Sequence, residues 1–244
     1  MSLVGVIFKR EFSSYFATPI AYVFIVIFLM LSGGFTFYLG GFYERGQADL
    51  LAFFNFHPFL YLFLIPSISM RLWSEERKTS TIELLMTLPV TNLDVVVGKF
   101  LAAWVFAGLA LILTFPIWFT VDYLGNPDNG VILTSYIASW LMAGGFLAIG
   151  SCMSALTKNQ VIAFILGVVV CFAFLVSGIP LVLDFFRLFS PNFIVDAVAS
   201  LSFLTHFNSV AKGVLGLKDV LYFFASMAVW LMATVIIIDL KKAD

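Results

Sequence analysis

The residue types that carry chemistry are sparse in this chain and badly spaced for it. Two histidines, His57 and His206, and two cysteines, Cys152 and Cys171, are all that 244 residues hold of the usual metal ligands and nucleophiles beyond hydroxyls and carboxylates. No H-E-x-x-H pair is present to seat a hydrolytic metal, and the cysteines offer neither a metal spacing nor a disulfide framework. Both cysteines lie in apolar runs and read as buried small hydrophobes. A phosphate-cradling loop is missing too: Gly98-Lys99 lacks the upstream glycine and the following Ser or Thr of G-x-x-x-x-G-K-[ST]. That sequence cannot hydrolyse ATP in the P-loop manner. His57 reads as a hydrogen-bonded packing histidine, with a proton-relay role as the alternative. The dense polar stretch of residues 71–99 is where function must be sought.

The elements that position this stretch follow from composition. The chain is 62% hydrophobic and 17% aromatic, with only 11% charged residues, whereas soluble domains are about half apolar and about a quarter charged. A water-soluble fold of this length could not hide so much apolar surface, and disorder is excluded by the same numbers. A net charge of −1 from 13 basic and 14 acidic residues leaves no nucleic-acid footprint. The chain is an integral membrane protein.

Roughly 20 apolar residues are needed to cross about 30 Å of hydrocarbon. Runs of that length predict six spans, at residues 20–39, 53–72, 99–121, 132–155, 161–183 and 218–239. They do not alternate as barrel strands would, so the spans are helical. Lys9 and Arg10 precede a full-length span with no short core or cleavage site behind them, so the first span is expected to remain in the mature protein. With both termini inside, the inner segments carry nine of the counted Lys and Arg residues and the outer ones four, which orients the chain by the excess of positive charge.

Two segments outside the spans have a helical logic. In residues 1–18, Phe8, Phe12, Tyr15 and Phe16 share one helical face, with Lys9, Arg10, Ser13 and Ser14 opposite. This predicts an amphipathic helix lying in the membrane interface, broken by Thr18-Pro19; a plain positively charged span flank is the alternative. In the inner loop, Ser80 and Glu83 have capping-box spacing and predict a two-turn helix carrying Ile82, Leu84, Leu85 and Leu88 that ends before Pro89. So apolar a helix needs a surface to rest on, either a partner protein or the membrane. Thr91 and Asp94 repeat the cap spacing and start the next helix. The small-residue pairs Gly144/Ala148 and Gly150/Ser154 in the fourth span allow close helix pairing, within the bundle or with a second subunit.

The inner loop also carries a family likeness. Residues 75–90, EERKTSTIELLMTLPV, followed by VGKF at 97–100, resemble the E-x-x-x-G-T-x-E-x-L-x-x-x-P and G-K signature of type-2 ABC export permeases. REFSSYFATP at 10–19, LSFLTHF at 201–207, KGV at 212–214 and DVLYF at 219–223 extend the likeness over nearly the whole chain. Within the class it looks most like the gliding-motility permease GldF and its bacterial relatives. One departure is Ser80, where many members have Gly. The resemblance implies a half-transporter in the bacterial inner membrane that pairs with a second permease subunit, identical or different, and with two copies of a separate P-loop ATPase. In gliding-type systems the companion subunit has a large extracytoplasmic domain.

The expectation is therefore an all-α integral membrane protein forming one permease domain over residues 1–244. It would comprise six transmembrane helices, an interfacial elbow helix at 1–18, a coupling segment at 73–90 and an extracytoplasmic re-entrant or interfacial segment at 184–217. The residues expected to face the ATPase are Ser74, Glu75, Glu76, Arg77, Ser80, Glu83, Leu84, Leu85 and Leu88, with Lys9, Arg10, Phe12 and Phe16 defining the interfacial helix. No catalytic, cofactor or metal residue is expected in this chain; ATP and Mg²⁺ would be bound by the partner. An anchor or mechanotransmission subunit driving an extracytoplasmic partner is the alternative, followed by a membrane-embedded enzyme.

Overall fold

The structure, a computed structural model, describes residues 3–82, 91–189 and 191–241. Among these, every regular element is helical: α1 (Leu3–Ala17), α2 (Pro19–Gly34, prolonged by one π turn at Phe35–Leu39), α3 (Leu51–Ser69), α4 (Arg71–Lys78), α5 (Asn92–Ile112), α6 (Pro116–Leu124), α7 (Asn129–Leu156), α8 (Gln160–Val176), α9 (Pro180–Arg187), α10 (Asn192–Ser200), α11 (Phe203–Val210) and α12 (Leu217–Leu240). Five stretches are long and apolar enough to cross a membrane: Pro19–Leu39, Leu51–Lys78, Asn92–Leu124, Asn129–Leu156 and Leu217–Leu240.

The remaining expected span, 161–183, is not one straight helix. α8 stops at Val176 and α9 leaves it at 80°, because Ile179 is extended ahead of Pro180. In the segment beyond it, expected to be re-entrant or interfacial, α10 and α11 are two short helices bent by 62°. α9 buries none of its side chains, whereas α11 turns back and buries Phe203, His206, Phe207 and Val210. Buried residues recurring at positions i, i+3, i+4 and i+7, three of them apolar and one His206, give α11 a core-facing stripe, which holds it against α7, α8 and α12.

α7 is the spine of the bundle. From Leu141 to Ala155 every side chain is buried, and it touches α3, α4, α5, α8, α11 and α12. Its small residues do their packing inside this chain, so the pairs Gly144/Ala148 and Gly150/Ser154 are core contacts and not a face for a second subunit. A Cβ on Gly150 would lie 1.9 Å from Ser69 Oγ, and one on Gly145 would lie 2.9 Å from the Phe203 ring.

The two caps predicted around the inner loop fare differently. Thr91 and Asp94 form the reciprocal capping box that opens α5. Ser80 lies between α4 and the helical residues Thr81 and Ile82, and Glu83, the partner that its capping box requires, lies outside the described residues. Ser80 has a φ of +56°, which is left-handed, unlike the extended backbone of an N-cap. It follows Thr79, the C-cap of α4, and so occupies the position where helices end on glycine. Glycine, the usual residue of the resembling permeases here, meets that requirement without strain. Glu83, Leu84, Leu85 and Leu88 lie outside the described residues.

These contacts set up a paired test. Gly150→Ala is expected to destabilise by about 1–3 kcal/mol through overpacking against Ser69. Gly33→Ala, with nothing within 4 Å of the new methyl, should be neutral or stabilising by up to about 1 kcal/mol. Thermal unfolding of both purified variants in one detergent measures the difference.

Candidate functional site at the charged end of the bundle

The ends of α1, α4, α5, α7 and α12 meet at one end of the bundle. The approach of α1 to α5 is allowed by Gly98, where a Cβ would sit 2.8 Å from Ile7 Cγ2. Along the same contact Tyr15 stacks on Phe106 with ring centroids 4.9 Å apart, and Phe16 meets that ring edge-on. Phe8 and Phe12 continue the aromatic row, while Lys9, Arg10, Ser13 and Ser14 are exposed.

One residue on, the Lys99 side chain is 4% exposed. Its Nζ lies 3.1 Å from Glu11 Oε2 on α1 and 2.7 Å from Glu76 Oε1 on α4, and 5.5 Å from the centre of the Trp73 ring. Glu11 in turn receives a 2.5 Å hydrogen bond from Arg10. Burial alone would raise the Glu11 carboxyl. The Lys99 ammonium and the Arg10 guanidinium outweigh it and hold that group below the ordinary carboxylate range.

α4 is fastened to α7 as firmly. Ser154 Oγ accepts from the backbone N–H groups of Trp73 and Ser74, each at 3.1 Å, and donates to the Met70 carbonyl at 2.7 Å. Trp73 Nε1 donates to Ser151 Oγ at 3.0 Å. Arg77 donates to the Ala155 carbonyl at 2.6 Å, and Lys241 donates to the Leu156 carbonyl. Two cations from different helices thus satisfy the last carbonyls of α7, where the helix dipole favours positive charge.

The expected site residues separate into two groups. Ser74 is fully buried, and Glu76 and Arg77 are engaged inward; all three act on the bundle itself. Glu75, paired with Arg71, is partly exposed, while Lys78, Thr79 and Ser80 are on the surface. Sequence reasoning missed Lys99, Glu11, Trp73, Ser151 and Ser154. Lys99 enters the sequence reading as part of the Gly98-Lys99 pair that opens the third expected span; its position one residue after a glycine and just inside an apolar run is the signal that it is buried.

Elsewhere, His57 differs from its expected role. It is fully buried but neither ring nitrogen finds a hydrogen-bond partner among the described residues. It packs instead within an aromatic cage, with Phe53 at 4.4 Å and Phe54, Tyr61 and Phe28 slightly further away. His206 Nδ1 lies 2.6 Å from Asp219 Oδ1 and its Nε2 3.0 Å from the Ser200 carbonyl. Ser209 donates to the other Asp219 oxygen at 2.9 Å. The hydroxyl faces the carboxylate and not the imidazole, so this is a clasp between α11 and α12 without a nucleophile–base pair. No group of three metal-ligating side chains occurs among the described residues.

Breaking a buried ion pair from one side costs about 3–5 kcal/mol, while replacing all its members is often neutral. Lys99→Met should therefore lower stability by that amount. Adding Glu11→Gln and Glu76→Gln should restore most of it. Unfolding midpoints of the single and triple variants decide this.

Residues 6–240 match the family model described as ABC-2 family transporter protein. No curated protein matches the chain.

Proposed function

The chain belongs to the ABC-2 family of transporter proteins, which makes it a membrane-spanning permease subunit working with a separate ATPase; from that premise we propose that it is an export-type half-transporter whose charged end faces the cytoplasm. In this reading both termini are cytoplasmic, the membrane is the bacterial inner membrane, and a second permease, identical or different, completes the path. A companion with a large extracytoplasmic domain, as in gliding-motility systems, fits the finer sequence likeness. ATP and Mg²⁺ are held by the ATPase, and this chain contributes motion and no catalytic group.

The observation that carries the proposal is the fastening of α4. The helix leads directly into residues 79–90, and it is tied at once to α1 and α5 through Lys99 and to α7 through Ser151, Ser154 and Ala155. A push delivered to that segment therefore reaches three helices, because close-packed interiors transmit displacement and absorb little of it. Residues 74–89 form the coupling element in this reading. Glu75, Ser80, Glu83, Leu84, Leu85 and Leu88 contact the ATPase, and Ser74, Glu76 and Arg77 relay its movement inward. α1 is the interfacial helix that braces the relay, with Phe12 and Phe16 toward the bundle and Lys9 and Arg10 outward.

Two experiments test this. A well-buried interface residue can cost 2 kcal/mol or more on truncation, whereas rim charges cost little. Leu85→Ala and Leu84→Asp should thus weaken capture of the partner ATPase in a pull-down more than Glu75→Ala does. Leucine variants that insert normally and hold the ATPase like wild type would place the coupling element elsewhere. For orientation, a cysteine at Asn126 should react with an impermeant thiol reagent in intact cells, and one at the exposed Thr79 should react only after permeabilisation. The opposite pattern inverts the topology.

A further inference from the structure

At the end of the bundle away from Lys99, the hydrogen bonds of one histidine fix how many protons it carries. His206 on α11 and Asp219 in the first turn of α12 are both buried. His206 Nδ1 lies 2.6 Å from Asp219 Oδ1, and Nε2 lies 3.0 Å from the carbonyl oxygen of Ser200, the last residue of α10. Both ring nitrogens therefore face oxygen. A neutral imidazole has one N–H and one bare nitrogen, and only the imidazolium donates from both. The Ser200 carbonyl has no proton to give, so Nε2 must donate to it. A bare Nδ1 would then set its lone pair against Asp219 Oδ1, while the other carboxylate oxygen already accepts from Ser209 at 2.9 Å. The contact closes only with a second proton between ring and carboxylate. With it, the pair is an imidazolium and a carboxylate whose four polar atoms are all bonded.

Among the described residues no other charged side chain pairs with the ring. On α12, Asp219 and Tyr222 face it. The Tyr222 ring stacks on the imidazole with centroids 3.8 Å apart, and its hydroxyl donates to the Leu201 carbonyl. Lys212, Lys218 and, on α10, Asp196 are exposed. α7 and α8, the other helices against which α11 packs, contain no Asp, Glu, Lys, Arg or His. Their Tyr136 and Cys152 bond to Thr114 and Thr234, and Cys171 to the Phe146 carbonyl.

We propose that the His206–Asp219 clasp is a proton-operated switch, which fastens α10 and α11 to the start of α12 while its second proton is bound and releases them when that proton leaves. Without the proton, either the Ser200 carbonyl loses its donor or a bare Nδ1 faces a buried carboxylate, and each leaves a buried polar group unsatisfied. The clasp therefore loosens as the pH rises. In the topology proposed above this end faces the outside of the cell. The switch itself requires only the contact, so it stands or falls apart from the ATPase-coupling reading.

The test uses the purified full chain in detergent, labelled in its histidine ring nitrogens, across the interval between about pH 5 and about pH 8. The chain has two histidines, and NMR of the ring nitrogens counts the protons on each. His57→Phe, which keeps the aromatic cage, assigns the signal that remains. His206 should carry two N–H groups at the acid end and lose one as the pH rises. The thermal unfolding midpoint should fall in step by several degrees, as one hydrogen bond to a charged group predicts for a chain of this length. Asp219→Asn separates a switch from a merely structural contact. Its amide can donate to a bare Nδ1 while its oxygen accepts from Ser209, so a neutral ring satisfies every bond. That variant should hold a single N–H on Nε2 throughout and lose the fall in midpoint. Should it fail to fold, the ring signals and midpoint of the His57→Phe chain decide alone. A His206 ring with one N–H at every pH, a ring that keeps both protons across the interval, or the same pH dependence of the midpoint in wild type and Asp219→Asn overturns the proposal.

Discussion

The structure depends on one buried ammonium. Removing Lys99 from water carries a penalty of several kcal/mol, and it is offset only because two helices that are distant in sequence each bring a carboxylate to it. Glu11 arrives on α1 and Glu76 on α4, so satisfying one charge fixes the relative positions of three helices. The preceding residue makes the arrangement possible. Without a side chain at Gly98, α1 can lie against α5 closely enough for Glu11 to reach the lysine. Glycine permits the approach, and lysine holds it.

Around that point the hydroxyls of α7 do what water would do in a soluble protein. Backbone groups inside a membrane protein must find partners within the chain, and the junction between α3 and α4 exposes several. Ser154 satisfies two N–H groups and one carbonyl there, while Ser151 takes the indole N–H of Trp73. The consequence is mechanical as well as energetic. α4 cannot rotate or slide without breaking bonds to the most buried helix of the bundle. At the opposite end the His206–Asp219 contact plays a comparable part, holding the returning helix α11 against α12.

Much of the architecture is legible in hydropathy because lipid admits so few alternatives. Long apolar runs must be helices, and the runs containing α2, α3, α5, α7 and α12 read correctly to within a few residues. The exceptions have local causes. Pro180 and the extended residue before it fold one expected span into α8 and α9, and the aromatic stretch of residues 184–217 sends α11 into the core. The spacing of Thr91 and Asp94 is a true cap, whereas spacing alone could not report the positive φ of Ser80. The small residues of α7 announce close packing but not the identity of the neighbour.

By itself, the sequence determined the membrane class, the helical fold, the absence of a phosphate loop and the existence of a charged stretch at residues 71–99, since each follows from composition or from residues adjacent along the chain. Tertiary structure alone decided which charges within that stretch are solvated and which are buried. Glu75 and Glu76 are neighbours of the same type, yet one lies toward the surface with Arg71 and the other closes on Lys99. The difference of about 100° between successive residues on a helix is visible in the sequence. Which side of α4 meets α1, α5 and α7 is set by packing among segments up to 81 residues apart, and no local pattern encodes it.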